Sequence, residues 1–132
     1  QGYSFKTIIS PSSRISSSAQ LGEGVQVMAG AIIQSGAIIG KNTIVNTGAV
    51  VDHDCNIGDH NHISPGAVLS GEVETKDNVH VGTNASVIQS IKIGRFSVIG
   101  SGVSVTKDVP SEKILYPAKP FLKKYRVSFD EK

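Results

Sequence analysis

Residues 33–58 read IQSGAIIGKNTIVNTGAVVDHDCNIG. Stepping through them by six gives Ile33, Ile39, Val45, Val51 and Ile57, and four places after each of the first four stand Ala37, Thr43, Ala49 and Cys55. A period of six matches neither the 3.6 residues of a helical turn nor the simple alternation of a long strand. It matches very short strands joined by turns at fixed intervals. Extended in both directions, the frame runs without a slip from Ile9 to Val105, broken at the aliphatic position only by Thr75. The companion position holds small or aliphatic residues throughout except at Asn61.

A longer period lies on top of the short one. The residue after the aliphatic position is glycine at 22, 40, 58 and 94, with Lys76 in the missing slot, so the pattern repeats every three hexapeptides. We read one coil as a triangle of three flat faces. The aliphatic residue points inward, the small residue fits near the corner, and these glycines are expected to supply turn conformations that side chains resist. Stacked ~4.8 Å apart through parallel backbone hydrogen bonds, residues 9–110 make between five and six coils. The expected fold is all-β, a parallel β-helix with short terminal caps.

Composition agrees. Aromatics are 5% of the 132 residues and Trp is absent, as a narrow prism filled by Ile, Val and Ala requires. All aromatics but Phe96 lie outside the repeat: Tyr3 and Phe5 before it, and Tyr116, Phe121, Tyr125 and Phe129 after it. Open β-helix ends expose unpaired backbone, so residues 1–8 are read as a cap or linker remnant and 111–132 as an exit segment and tail. Within the tail, 111–120 reads as extended, and 121–132 as a strand or short helix.

A net charge of +2 with scattered cations makes no case for nucleic acid, and the Lys123, Lys124 and Arg126 cluster reads as a solvated tail. No apolar run approaches the ~18 residues of a membrane span. A single cysteine, Cys55, fits a reducing cytoplasm; in the inward column it reads as core filler.

Function concentrates in Val51–Gly71, VDHDCNIGDHNHISPGAVLSG, which holds three of the four histidines. Counting by eighteen separates them. His53 sits at a corner, with Ser35 one coil before and Gly71 one coil after in the same column, so its imidazole borders a gap with a free backbone N–H at its edge. His62 and His80 stack one coil apart on a different edge, and His60 is assigned to solvent. Asp52 and Asp59 read as turn residues. The histidine gaps of 7, 2 and 18 fit no trimeric-hydratase zinc site, so no metal is expected.

The hexapeptide pattern resembles the bacterial transferase hexapeptide superfamily, whose members are left-handed parallel β-helices. Three pieces resemble its sugar and sialic-acid acetyltransferase branch, which includes the UDP-4-amino-sugar N-acetyltransferases: Asn46–Gly58 (NTGAVVDHDCNIG), His62–Gly71 (HISPGAVLSG) and Pro117–Pro120 (PAKP). The resemblance covers roughly residues 7–120. It implies acetyl transfer from acetyl-CoA to an amine or hydroxyl of a nucleotide-linked amino sugar or sialic acid, by direct attack without an acyl-enzyme. His53 would be the general base, Asp54 would orient its ring, and the Gly71 N–H would stabilise the oxyanion.

By the same resemblance Asn46 lies near the acceptor, and His62 contacts donor or acceptor. Thr83, Gly100 and Ser101 line the donor groove with Gly71, and Lys119 meets a CoA phosphate. The groove is the seam between subunits of a homotrimer. Relatives of this branch carry an N-terminal nucleotide-sugar domain, so the chain is expected to be part of a longer protein. The alternative reading is a non-catalytic β-helix that trimerises or binds donor within a larger transferase.

Overall fold

A computed structural model describes residues 2–119. Eighteen two-residue strands form three parallel sheets, the faces of a left-handed prism of about six turns. The first face stacks Ile8–Ile9, Gln26–Val27, Ile44–Val45, His62–Ile63, His80–Val81, Val98–Ile99 and Ile114–Leu115. The second stacks Arg14–Ile15, Ile32–Ile33, Val50–Val51, Val68–Leu69, Ser86–Val87 and Ser104–Val105, and the third Gln20–Leu21, Ile38–Ile39, Asn56–Ile57, Glu74–Thr75 and Lys92–Ile93. Register is eighteen residues at each pairing up to Val105, for example Val50↔Val68 and Val68↔Ser86. Both inward positions of each hexapeptide fill the interior, where Val25, Val27, Ala31 and Ile33 through Ile99 are buried. Among the described residues no helix is long and apolar enough to cross a membrane.

The corners explain the period. From Gly24 to Gly102, every third residue after the inward aliphatic has a left-handed backbone, whether it is Gly or one of Asn42, Asp54, His60, Glu72, Asn78, Asn84, Ser90 and Phe96. One left-handed residue per corner reverses the chain between flat faces, which side chains tolerate best when they are Asn, Asp or Gly.

This corrects the reading of Gly22, Gly40, Gly58 and Gly94. None has a left-handed φ; a Cβ on Gly22 would lie 2.8 Å from the Lys41 nitrogen, and one on Gly58 2.7 Å from the Lys76 carbonyl carbon. Gly40 and Gly94 face the backbone of Gly58 and Ser111 in the same way. These glycines are required by the close stacking of backbone on backbone, not by turn conformation.

The two breaks in the sequence pattern meet in the core. Asn61 is 2% exposed; its Nδ2 donates to Thr75 Oγ1 (2.5 Å), its Oδ1 accepts the Val79 N–H (2.6 Å), and its own N–H donates to Thr43 Oγ1 (3.0 Å). Thr75 Oγ1 also accepts the Gly58 N–H (3.2 Å). A buried amide is tolerated because each of its polar atoms has a partner.

Near the termini the described aromatics are exposed. Tyr3 is 97% exposed, Phe5 is exposed, and Ile9 remains 48% exposed. The entering chain is held by polar bonds, the Phe5 N–H to the Glu23 carboxylate (2.9 Å) and Thr7 Oγ1 to Gly22 O (3.3 Å). At the other end Ile114–Leu115 adds a further strand against Val98–Ile99, and Tyr116 is exposed. The tail readings on Pro120, Phe121, Lys123, Lys124, Tyr125, Arg126 and Phe129 lie outside the described residues.

Candidate active site

The edge that follows the second face stacks Gln34-Ser35-Gly36, Asp52-His53-Asp54 and Ser70-Gly71-Glu72. Consecutive residues of a strand point to opposite sides, yet His53 and Asp54 touch. The left-handed backbone of Asp54 (φ 56°) swings its carboxylate round the corner, and His53 Nδ1 lies 3.0 Å from Asp54 Oδ2. Coil stacking fixes both residues: the Asp54 N–H donates to Ser35 O (2.9 Å) and His53 O accepts the Glu72 N–H (2.9 Å).

With Nδ1–H committed to the carboxylate, the lone pair of His53 is on Nε2. That atom is the part of the ring nearest Gly71: a Cβ built there would meet Nε2, lie 2.5 Å from Cε1 and 3.1 Å from Cδ2. Only glycine leaves room for the ring to lie across the next coil. The Asp54 hydrogen bond, followed by the charges of Asp52, Asp54 and Glu72, holds the His53 pKa above its ordinary 6.5 in spite of partial desolvation. The ring remains 53% exposed, so it is reachable from solvent.

Among the described residues, corner amides two places after the inward aliphatic divide into those with an acceptor and those without one, Ser35, Thr83 and Ser101 being among the latter. At the same place in the hexapeptide, the Lys41 N–H is taken by Asp59 Oδ1 (2.7 Å), that of Asp59 by Asp77 Oδ1 (2.9 Å) and that of His53 by Asp52 Oδ1 (2.7 Å). No group among the described residues accepts the Gly71 N–H, although its neighbours Ser70 and Glu72 are both paired. A free base and an unpaired amide therefore adjoin on one edge, His53 exposed and Gly71 buried beneath its ring.

The remaining candidates gather elsewhere. His62 and His80 point outward from the first face, not from an edge as their spacing suggested, because the residue just before each inward aliphatic lies within a strand; their rings meet edge-to-face at 4.9 Å. Asn46 lies on the edge that follows this face, its Nδ2 3.0 Å from His62 Nε2. Burial, then His80, pushes the His62 pKa down. Thr83, Gly100 and Ser101 occupy that same first edge in successive coils, with Gly100 tied to Leu115 O (2.8 Å) and Thr83 O accepting the Gly102 N–H (2.8 Å). Lys119 is exposed beyond the last strand, and His60 is exposed on the third edge. One chain thus unites His53, Asp54 and Gly71, and separately Asn46 and His62, on different edges.

Two participants escaped the sequence reading. Asp52, read as a turn residue, caps the His53 N–H as well as charging its surroundings. Gly36 lies under Asp54, where a Cβ would strike Asp54 Oδ1. The signal for Gly36 was present: it stands eighteen residues before Asp54.

Cys55 is buried, its Sγ 3.1 Å from Ser70 O, and desolvation pushes its pKa up to about 11. It belongs to the core beside the site.

Comparison with known proteins gives the pattern its setting. Residues 18–53 and 36–71 match the family model described as bacterial transferase hexapeptide (six repeats). PerB from Caulobacter crescentus, solved in complex with CoA and GDP-perosamine, is 39% identical with a TM-score of 0.87, over 93% of this chain and 59% of that one. The acetyltransferase domain of PglB from Neisseria gonorrhoeae FA1090, solved with acetyl coenzyme A, is 38% identical with a TM-score of 0.85, over 91% and 60%. WeeI from Acinetobacter baumannii AYE is 29% identical with a TM-score of 0.75, over 80% and 52%. The chain therefore spans about 60% of the length of the first two and about half that of the third. No curated protein matches the sequence.

Proposed function

We propose that this chain, built on the bacterial transferase hexapeptide repeat and sharing its fold with sugar acetyltransferases, is the acetyl-transfer part of an acetyl-CoA-dependent enzyme. Its acceptor is the amino group, or a hydroxyl, of a nucleotide-linked amino sugar or sialic acid. The observation that carries this reading is the pairing on one edge of His53 Nε2, directed over Gly71, with His53 Nδ1 held by Asp54 at 3.0 Å. That is the arrangement general-base catalysis needs: a free lone pair at the reacting position and an orienting acceptor behind it.

The chemistry follows from those atoms. A neutral acceptor nitrogen attacks the thioester carbonyl carbon while His53 Nε2 takes a proton from it. The carbonyl oxygen gains negative charge, and the free Gly71 N–H donates to it. The C–S bond then breaks, the proton passes from His53 to the leaving thiolate, and the products are an acetamide and CoA. One general base contributes about 10²–10⁴ in rate and one preorganised oxyanion donor about 10²–10³.

The second half of the site, Asn46 and His62 with Thr83, Gly100, Ser101 and Lys119, comes in this account from a neighbouring subunit of a homotrimer, at the seam. Two observations support the seam: the candidates of one chain divide between separate edges, and the second face, next to His53, turns Ile32, Val50 and Val68 outward with Val68 38% exposed. A wholly solvated face gains nothing from such a column. Use of acetyl-CoA and the buried free thiol of Cys55 support a cytoplasmic site of action.

The test is a screen of nucleotide-linked amino sugars with acetyl-CoA, following thiol release, on the chain in its full-length protein, with sedimentation for assembly. Turnover by a trimer supports the reading. Acetyl-CoA binding with no thiol release on any acceptor favours the non-catalytic module, and a monomer that turns over refutes the seam.

A further inference from the structure

Asn46 has a fixed orientation that the candidate chemistry does not by itself require. The Thr47 N–H lies 2.7 Å from Asn46 Oδ1, and Thr47 Oγ1 lies 3.2 Å from the same atom. A backbone N–H can only donate, so the oxygen of the Asn46 amide must face Thr47 and its NH2 must face the other way. That NH2 is 3.0 Å from His62 Nε2. An amide NH2 has no lone pair to offer, so His62 Nε2 must supply one. A neutral imidazole then carries its single proton on Nδ1.

We propose that Asn46 is a positioning residue that fixes His62 as the neutral tautomer protonated on Nδ1, giving the seam one imidazole that takes a proton and one that only donates a hydrogen bond. The ligand atom it suits is an uncharged acceptor, such as an amide or thioester carbonyl oxygen. Its role in turnover rests on the acetyl-transfer reading above; the tautomer does not.

The surroundings work in the same direction. In the sheet His62 is flanked by Ile44 on one side and His80 on the other. His80 Nε2 is itself engaged with buried Ser64 Oγ at 3.2 Å, and its ring meets that of His62 at 4.9 Å and 83°. Protonating His62 would set N–H against NH2 at Asn46 and place a cation beside a second imidazole, and burial adds to that cost. His53 is opposite in each respect, exposed and facing carboxylates. Two histidines of one site are thereby driven to opposite duties by their neighbours.

The experiment is long-range proton–nitrogen NMR of the imidazoles in the ¹⁵N-labelled full-length protein across a pH titration, with no ligand present. His62 is expected to show a protonated Nδ1 and an unprotonated Nε2 at neutral pH, and to titrate below His53. In Asn46→Asp the carboxylate still accepts the Thr47 N–H but now accepts from His62 as well, so the proton should move to Nε2 and the midpoint should rise. A parent protein protonated on Nε2, or an Asn46→Asp variant with the parent tautomer, overturns the proposal.

In turnover, Asn46→Asp should lower kcat/KM about tenfold, the worth of one hydrogen bond, while the pH limb set by His53 stays in place. Unchanged kcat/KM would overturn the positioning role. A parent with the expected tautomer and no activity on any acceptor would count against the acetyl-transfer reading alone.

Discussion

Replacing Gly71 by alanine puts a methyl group where the His53 ring now lies. Gly71 does not have a left-handed backbone, so alanine is allowed there, and the added carbon meets only the far atoms of one side chain, Nε2, Cε1 at 2.5 Å and Cδ2 at 3.1 Å. Ordinary contact begins near 3.4 Å, so the ring must turn away by several tenths of an ångström at Cδ2 and by more at Cε1. With half its surface in solvent, it can turn out freely, giving up the 3.0 Å bond to Asp54. Folding stability should stay within about 1 kcal/mol of the parent, since glycine-to-alanine at a compatible backbone is itself slightly favourable.

Catalysis should not survive in the same way. Losing an aligned general base costs about 10²–10⁴ in kcat. Gly40→Ala is the control: its Cβ would strike the backbone of Gly58, which cannot rotate aside, so this variant should lose about 1–3 kcal/mol or more from overpacking. The assay pairs thermal unfolding with acetyl-CoA turnover for both variants in the full-length protein. Parent-like turnover by Gly71→Ala, or a fold as damaged as that of Gly40→Ala, would refute the placement of the ring.

Other consequences are open to the same assays. The parent kcat/KM should rise with pH through a midpoint above 6.5, because His53 acts neutral and its pKa is raised; Asp54→Asn removes the largest cause and should move that midpoint down, and an unmoved limb would dissociate Asp54 from the base. Cys55, with its pKa near 11 and its side chain in the core, should resist alkylation in the native protein and react only on unfolding. Inactivation by stoichiometric alkylation of the folded enzyme would contradict a direct transfer without an acyl-cysteine. Asn61→Ala should cost about 1–3 kcal/mol, since it strands the Val79 N–H in the core and leaves Thr75 Oγ1 with the Gly58 N–H alone. The further change Thr75→Val should cost less in that background than alone, and strict additivity by denaturant unfolding would show that the two do not act as a pair.

Most of the fold was legible because the prism imposes one rule on each residue, and Ile9 to Val105 obey it. The period could be counted without knowing any contact. Exceptions were less legible: Thr75 and Asn61 each look like a fault in their own column, and their hydrogen bond joins adjacent faces of successive coils, which a single register does not reveal. The glycines after the aliphatic position were located correctly but explained wrongly, because sequence shows that a side chain is missing and not whether conformation or proximity removed it.

The same distinction runs through the site. His53 and Gly71 share a column and could be paired by counting, as could Gly36 with Asp54. Whether Asp54 reached His53 depended on the left-handed backbone at residue 54, which is visible only in three dimensions. The tautomer of His62 depended on a short local bond from Thr47, of a kind that any Asn-Thr pair can form or not.

The most direct test of the central claim is His53→Ala in the full-length protein, measured for acetyl-CoA binding by calorimetry and for acetyl transfer by thiol release. Donor affinity should stay close to the parent's while kcat falls by about 10²-fold or more. Turnover within a fewfold of the parent, with the donor still bound, would contradict that claim.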